Sequence, residues 1–424
     1  MENLKELKKK KIAIYGLGVT GKSVLSFLKK KRIRKLITWD DNHKILNKSK
    51  KKFFLLELSK MDYIVTSPGI NIKKSNFKKH LLKNKHKIIT DLDLFFLINR
   101  LKKTIIVTGT NGKSTTCALI CHILKTNNFK TELVGNIGKP ILSQKFNKNK
   151  IYIIEASSYQ LEYSKFLKPN YALFLNISKD HIDWHGSMKN YINSKFKIFN
   201  NQSIKDHALF DNRKLIKIYK KKKYQGKFTY IKKNNFKNYL KEHQLKFQTE
   251  IQNINFAFEM SKKFKIRKKA FLKSLNSFKG LNHRYEIFLK IKKFTFINDS
   301  KATSFEATKK ALAKSENIIW ILGGQPKTND KINIEKFKKK IIHGFIIGKH
   351  SKFFKKQLKN KISYTVIKEL KDVMRIIFKF VNKSNKKITI LFSPASASFD
   401  QFKNFEDRGN CFKKYTKYYA KRIS

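Results

Sequence analysis

Cysteine, proline, glycine and acidic residues are all scarce in this sequence, and each scarcity removes a class of explanation. The three cysteines, Cys117, Cys121 and Cys411, cannot pair completely and form no CxxC. That excludes a disulfide scaffold and points to a reduced, cytoplasmic chain. Cys117 and Cys121 lie four apart and share a face if helical, where packing is expected rather than chemistry. Five prolines and 16 glycines in 424 residues exclude collagen-like and Pro/Gly-rich low-complexity chains. No apolar run approaches the roughly 18 residues that read as a membrane span. The basic start leads into Ile12–Tyr15 and glycines rather than into the apolar core of a signal peptide.

Acid is the most depleted class: 29 Asp+Glu stand against 97 Lys+Arg, a formal net charge of +68. A balance this basic attracts nucleic acid or anionic membranes. Here, however, the lysines are spread along the chain (8–11, 29–31, 50–52, 220–223, 338–340), and no nucleic-acid motif accompanies them. Lys, Asn, Ile and Phe, all abundant, share A/T-only codons, which accounts for the bias without a partner. The expectation is a solvated basic surface with no nucleic-acid partner, whose field draws in small anions such as nucleotides.

What is present is an α/β pattern. The length suits about three domains of roughly 150 residues. β-rich runs alternate with helical stretches, as in layers around parallel sheets. A first set runs Ile12–Tyr15, Leu36–Trp39, Tyr63–Thr66 and Ile88–Thr90, with a helix over 22–31. A second has Thr104–Val107, Ile151–Ile154 and Ala172–Leu175, and a third Phe294–Ile297, Ile318–Leu322, Phe345–Ile347 and Ile388–Phe392. A boundary is expected near Gly280-Leu281-Asn282. Residues 204–248 are Lys- and Asn-rich with weak periodicity and receive no assignment.

Between a strand and a helix stands Gly109-Thr110-Asn111-Gly112-Lys113-Ser114-Thr115. Small residues let backbone N–H groups wrap a polyphosphate, and the helix N-terminus adds its positive end. Lys113 would reach the β/γ-phosphates, and the Ser114 hydroxyl would bind Mg²⁺. Val107 replaces the first glycine of the general pattern, so this is a variant P-loop. Gly16-Leu17-Gly18-Val19-Thr20-Gly21 also joins a strand to a helix, and Asp40 ends the next strand. That arrangement suits a pyrophosphate and a ribose without distinguishing NAD from a UDP-sugar, and a plain βα turn has the same wording. Glu155 and Asp180-His181 follow later strands, where loops converge on a ligand crevice. A carboxylate and an imidazole there suit Mg²⁺ beside phosphates, although each alone reads as a loop residue with a local hydrogen bond. His185 reads equally as a packing or capping residue.

Together these pieces resemble the Mur ligase family over nearly the whole chain. The family-level features are 109–115, Gly135-Asn136-Ile137-Gly138, Glu155-Ala156-Ser157-Ser158-Tyr159-Gln160-Leu161-Glu162 and Asp180-His181-Ile182-Asp183-Trp184-His185. Asn298-Asp299-Ser300-Lys301-Ala302-Thr303, and the stretch from Ser393-Pro394-Ala395-Ser396 to Asp407-Arg408-Gly409, resemble its D-glutamate-adding branch. The resemblance implies a three-domain α/β architecture: a Rossmann-like UDP-substrate domain (1–93), a central P-loop ATP/Mg domain (94–280) and an α/β amino-acid domain (281–424). It implies ATP-dependent ligation of D-glutamate to UDP-N-acetylmuramoyl-L-alanine in peptidoglycan synthesis by a monomer with two Mg²⁺ ions. Val19, Thr20, Asp40, Asp41, Ser67, Pro68 and Gly69 would hold UDP, and Asn136 and Ser157 the muramoyl part. Glu155, His181 and a carbamylated Lys195 would bind the metals. Asn253, Arg284, Asp299 and Lys301 would contact ATP, with Lys113 and Arg284 stabilising the transferring phosphoryl group. Thr303, Lys327, Ser398 and Phe399 would hold D-glutamate. One departure stands near the adenine: Thr249-Glu250-Ile251-Gln252-Asn253 keeps the last asparagine of the family's His-Asn-x-x-Asn but has Glu250 in place of the first.

Rival readings leave residues unexplained. A nicotinamide-dependent oxidoreductase would use the first glycine turn but neither the P-loop nor Lys195. A nucleic-acid-stimulated ATPase would use the P-loop and the charge but not the C-terminal signature. That signature also argues against addition of another amino acid and against folylpolyglutamate synthesis.

Overall fold

The computed structural model describes residues 4–42, 48–98, 103–234, 236, 250–326, 330–381 and 386–422. Three sheets follow one another along the chain. The first joins β1 (Ile12–Tyr15), β2 (Leu36–Trp39), β3 (Tyr63–Thr66) and β4 (Ile88–Ile89) in the order β2-β1-β3-β4, all parallel. The second comprises β5 (Thr104–Thr108), β6 (Thr131–Gly135), β7 (Ile151–Glu155), β8 (Tyr171–Phe174), β9 (His207–Phe210) and β10 (Lys227–Tyr230). Its order is β10-β9-β8-β5-β7-β6, again all parallel. The third contains β11 (Glu286–Ile291), β12 (Phe294–Asn298), β13 (Ile318–Gly323), β14 (Ile341–Ile347), β15 (Tyr364–Val366) and β16 (Ile388–Phe392). Its order is β11-β12-β16-β13-β14-β15, antiparallel only at β11/β12.

Parallel strands covered on both faces need continuous apolar runs, and β5 and β7 are buried at every position. The chain forms two compact units, one holding the first two sheets through Phe278 and the other holding residues 279–424. The helix Asp91–Ile98 runs across position 93. Among the described residues no helix is long and apolar enough to cross a membrane.

Apart from β9, the interior strands are where the apolar runs place them, and the helix expected over 22–31 begins earlier, at Val19, because extended Gly18 is its N-cap. The unanticipated strands are β6, β9, β10, β11 and β15. Four of these are sheet edges, where the solvated side relaxes the demand for apolar residues. The fifth, β9, lies inside the Lys/Asn-rich stretch that received no assignment, beside the helix Arg213–Lys221, whose Asn212 cap accepts from Lys214 N and Leu215 N. Cys117 and Cys121 are buried in the helix Lys113–Thr126 as packing residues.

Candidate active site

The P-loop follows β5, whose neighbours in the second sheet are β8 and β7, at the carboxyl ends of parallel strands. Its shape is set by the segment that follows β8 and by the helix Ile251–Lys263. Thr110 N donates to Asn176 O (3.0 Å) and Asn111 N to Asn176 Oδ1 (2.9 Å). Asn176 Nδ2 donates in turn to Asn111 O (3.1 Å) and to Gln252 Oε1 (3.0 Å). Gly112 caps the helix Lys113–Thr126 with φ +82°, and a Cβ there would lie 2.4 Å from Asn253 Oδ1. Any side chain at 112 would therefore both strain the turn and strike Asn253. Lys113 Nζ folds back over the loop, donating to Gly109 O (2.9 Å) and Thr110 O (2.8 Å).

A second lysine reaches the same loop. Lys195, in the helix Met188–Phe196, is 1% exposed, and its Nζ donates to Gly109 O at 2.8 Å. It lies 4.7 Å over the Tyr191 ring, and Tyr191 OH shares a 3.1 Å hydrogen bond with Thr110 Oγ1. Burial holds its ammonium far below the ordinary lysine range, and Lys113 pushes it further down, against the opposing pull of Asp180 and Glu155. A surface lysine, the ordinary expectation in so basic a chain, is not what the fold makes of it.

Glu155 ends β7 with 2% exposure, and Asn136 Nδ2 donates to its Oε1 at 2.9 Å. Its Oε2 is buried without a hydrogen-bond partner among the described residues. An orphaned carboxylate oxygen is costly unless something cationic completes it. Ser114, buried at the start of the P-loop helix, offers a hydroxyl. Ser157 caps the helix Ser158–Tyr163 in a capping box with Gln160. His181 has φ +52°; its Nδ1 is 2.7 Å from Tyr159 OH and its Nε2 3.2 Å from Asp180 Oδ2. Ligation of a metal by His181 therefore requires exchange of one of these contacts. His185 is packing: it stacks on Tyr159, and burial drives its pKa down to about 4. Among the described residues no three His, Cys, Asp or Glu side chains converge to hold an ion. An ion here needs ligands of other kinds, such as a hydroxyl, a carbamate or substrate oxygens.

The first glycine turn is closed by side chains. A Cβ at Gly21 would lie 1.8 Å from Gly16 O, and Ser67 Oγ donates to that carbonyl at 2.8 Å. Asp40 Oδ2 accepts from Leu17 N (2.5 Å), and Asp41 accepts from Tyr15 OH (2.5 Å) and Trp39 Nε1 (2.8 Å). Val19 and Thr20 open the following helix, Val19 strongly exposed, and Pro68-Gly69 form an open turn after β3. The structure thus brings Val19, Thr20, Asp40, Asp41 and Ser67 to one end of the first sheet.

In the second unit Arg284 lies between left-handed His283 and Tyr285. Asp299 is buried, accepts from Tyr285 N (3.0 Å) and Ser393 Oγ (2.7 Å), and burial pushes its carboxyl up to about 6. Lys301 Nζ sits 4.8 Å over the Phe405 ring. Thr303 is half-buried, Ser398 is buried and Phe399 is 70% exposed. Lys327 and Thr249 lie outside the described residues. The loops bearing these positions are laced together: Gln325 N donates to Ala397 O and Ala397 N to Gln325 O, both at 2.9 Å. Sequence reasoning missed Asn176, Gln252 and Tyr191 as organisers of the P-loop. The one available signal was Asn176, a polar residue directly ending an apolar strand run.

Known proteins now bear on this geometry. Residues 107–271 match the family model for the Mur ligase middle domain. The chain is 34% identical over 445 residues to the UDP-N-acetylmuramoylalanine–D-glutamate ligase of Rickettsia prowazekii (strain Madrid E), covering 97% of this chain and 98% of the relative. Among solved structures it is similar to UDP-N-acetylmuramate-alanine ligase MurC of Thermotoga maritima (TM-score 0.57, 16% identity, 96% of this chain and 99% of that one). It is also similar to the MurF ligase of Thermotoga maritima in complex with ADP (TM-score 0.55, 13% identity, 100% and 98% covered). These two likenesses establish the shared fold, and the long match at 34% identity establishes the family. The chain belongs to the Mur ligase family, on the branch of the UDP-N-acetylmuramoylalanine–D-glutamate ligases.

Proposed function

We propose that the chain joins D-glutamate to UDP-N-acetylmuramoyl-L-alanine, converting ATP to ADP and phosphate, in the cytoplasm. The observation that carries this is the meeting of Lys113, buried Lys195 and half-satisfied Glu155 around one P-loop. A carboxylate is a poor electrophile, so the γ-phosphoryl group is first transferred to the L-alanyl carboxylate, giving an acyl phosphate and ADP. The D-glutamate amine attacks that carbonyl, and phosphate leaves from the tetrahedral intermediate as the amine loses its proton. Lys113 and Arg284 stabilise the charge on the transferring group, which is the main task in such transfers.

Ser114, Glu155 and a carbamylated Lys195 suit Mg²⁺, with His181 after its contacts exchange; bound Mg²⁺ would neutralise phosphate charge. A depressed lysine pKa supplies the neutral amine that adds to CO₂, releasing a proton and leaving an anionic carbamate. We assign the UDP moiety to residues 1–93 through Val19, Thr20, Asp40, Asp41, Ser67, Pro68 and Gly69, with Asn136 and Ser157 on the muramoyl part. ATP falls to 94–280, including Asn253, with Asp299 and Lys301 from 281–424. D-Glutamate falls to 281–424 through Thr303, Lys327, Ser398 and Phe399. Asp299 is engaged by its own unit, so its part in ATP binding is to hold the Tyr285 backbone beside Arg284.

The test is phosphate release with UDP-N-acetylmuramoyl-L-alanine, ATP and, in turn, D-Glu, L-Ala, L-Lys or double-stranded DNA. Release that depends on D-Glu alone supports the proposal; release driven by DNA or by another amino acid rejects it.

A further inference from the structure

Arg408 sits one turn into the helix Phe405–Ala420 and is 1% exposed. Its Nε donates to Ser300 Oγ (3.1 Å), and its Nη2 donates to Ser300 O (2.8 Å) and Ser396 O (3.0 Å). All three acceptors are neutral. Nη1 has no hydrogen-bond partner among the described residues, and it faces Gly324, where a Cβ would lie 3.0 Å from it. The acid whose charge reaches it is Asp400, which is bonded instead to Lys349 N at 3.0 Å. Burial lowers the guanidinium to about 10, so it remains charged at neutral pH.

A buried cation bonded only to neutral groups is costly, and truncating such a hub usually disturbs what it holds. What it holds is specific. Ser300 and Ser396, which it bonds, and Gly324, which it faces, belong to the loops that follow β12, β16 and β13, three neighbours in the sheet order β12-β16-β13. Carboxyl ends of adjacent parallel strands are where open α/β sheets bind ligands. The loops after β12 and β16 lead directly into Thr303 and Ser398.

We infer that Arg408 is a specificity-determining positioning residue: it ties the loops after β12 and β16 together, lies against the loop after β13, and sets beneath them a positive charge bonded only to neutral groups, which favours an amino acid with an anionic side chain. The inference rests on the D-glutamate reading above. A purely architectural arginine would affect all substrates alike, whereas a charge determinant discriminates D-glutamate from its neutral isostere D-glutamine.

The experiment compares kcat/KM for D-Glu and D-Gln in wild type, Arg408→Gln and Arg408→Lys, scored by phosphate release and product mass. At an effective dielectric near 20, a unit charge within roughly 12 Å of the side-chain carboxylate is enough that its loss should cut the D-Glu/D-Gln ratio by about tenfold. KM for ATP should move less than about twofold in Arg408→Gln, since uniform binding there is untouched. Arg408→Lys keeps the charge without the fork, so kcat falls while the ratio stays within about threefold of wild type. An unchanged ratio in folded Arg408→Gln overturns the inference. If Arg408→Gln does not fold, Arg408→Met, which keeps an unbranched stem without the charge, takes its place: a fallen ratio supports the charge account and an unchanged one overturns it, as does a lost ratio in Arg408→Lys. A wild-type protein without D-Glu-dependent release refutes the underlying reading, and the inference with it.

Discussion

Lys195→Met separates chemistry from packing at the most unusual residue of the site. Methionine has nearly the length of lysine and fills the same buried channel, while removing the Nζ that donates to Gly109 O at 2.8 Å. Losing that bond costs about 1 kcal/mol, but the buried amine no longer has to be desolvated, so net stability should change by roughly 1 kcal/mol or less. Lys195→Ala also leaves a cavity and should cost about 2–4 kcal/mol. Activity should part company with stability. If Lys195 works as a carbamate, either substitution removes a preorganised charge at the phosphoryl-transfer site and should lower kcat/KM on the order of 10³-fold. Formate should restore part of the Lys195→Ala rate by filling the vacated anionic position, and should not rescue Lys195→Met, whose side chain occupies it. Activity should fall when CO₂ is rigorously removed. There is also a pH signature. The folded-state pKa of uncarbamylated Lys195 lies below its unfolded value near 10.5, so the unfolded chain holds the proton more tightly. Stability of the CO₂-depleted protein should therefore rise with pH up to the ordinary lysine range, and Lys195→Met should remove that slope. Steady-state phosphate release and thermal melts measure both. A folded Lys195→Met enzyme within tenfold of wild-type activity refutes the reasoning.

Other expectations follow from the same geometry. Lys113→Ala should fold normally yet lose ligation on the order of 10³-fold, because its half-buried ammonium donates to the loop carbonyls of Gly109 and Thr110, where phosphate charge would lie; near-normal turnover in a melt-verified variant contradicts this. Ser398→Ala and Lys327→Ala should raise KM for D-Glu about tenfold or more while KM for ATP stays nearly constant, since paired donors hold an anionic side chain; equal effects on both substrates count against the placement. Asp91 is fully buried, and burial raises its carboxyl from 3.8 to about 6. Because the folded state then binds the proton more tightly, Asp91 weakens stability as pH rises from about 4 to 6 and fully above that. Asp91→Asn should accordingly stabilise at pH 7.5 by at most about 3 kcal/mol, with the gain vanishing near pH 4; a pH-independent melting shift is the refuting result.

Much of the fold was legible because buried parallel strands must be apolar throughout. Thr104–Val107, Ile151–Ile154 and Ile388–Phe392 announce themselves this way, and all three are interior strands. Edge strands such as β10 (Lys227–Tyr230) and β15 (Tyr364–Val366) escape the same reasoning, since their solvated sides carry Lys, Thr and Tyr. The P-loop was legible from local wording because its glycines and lysine act within seven residues. Lys195 was not, since nothing in Asn193-Ser194-Lys195-Phe196 distinguishes a buried lysine from the many exposed ones; only family resemblance singled it out. Asn176 and Arg408 act on loops 65 and 108 residues away, and such long-range hydrogen bonds leave no periodicity to read.

The most direct measurement follows oxygen. UDP-N-acetylmuramoyl-L-alanine carrying ¹⁸O in its alanyl carboxylate should, with ATP and D-glutamate, yield phosphate bearing one ¹⁸O for each amide formed. Unlabelled phosphate formed alongside the new amide would show that the carboxylate is never phosphorylated and would contradict the account.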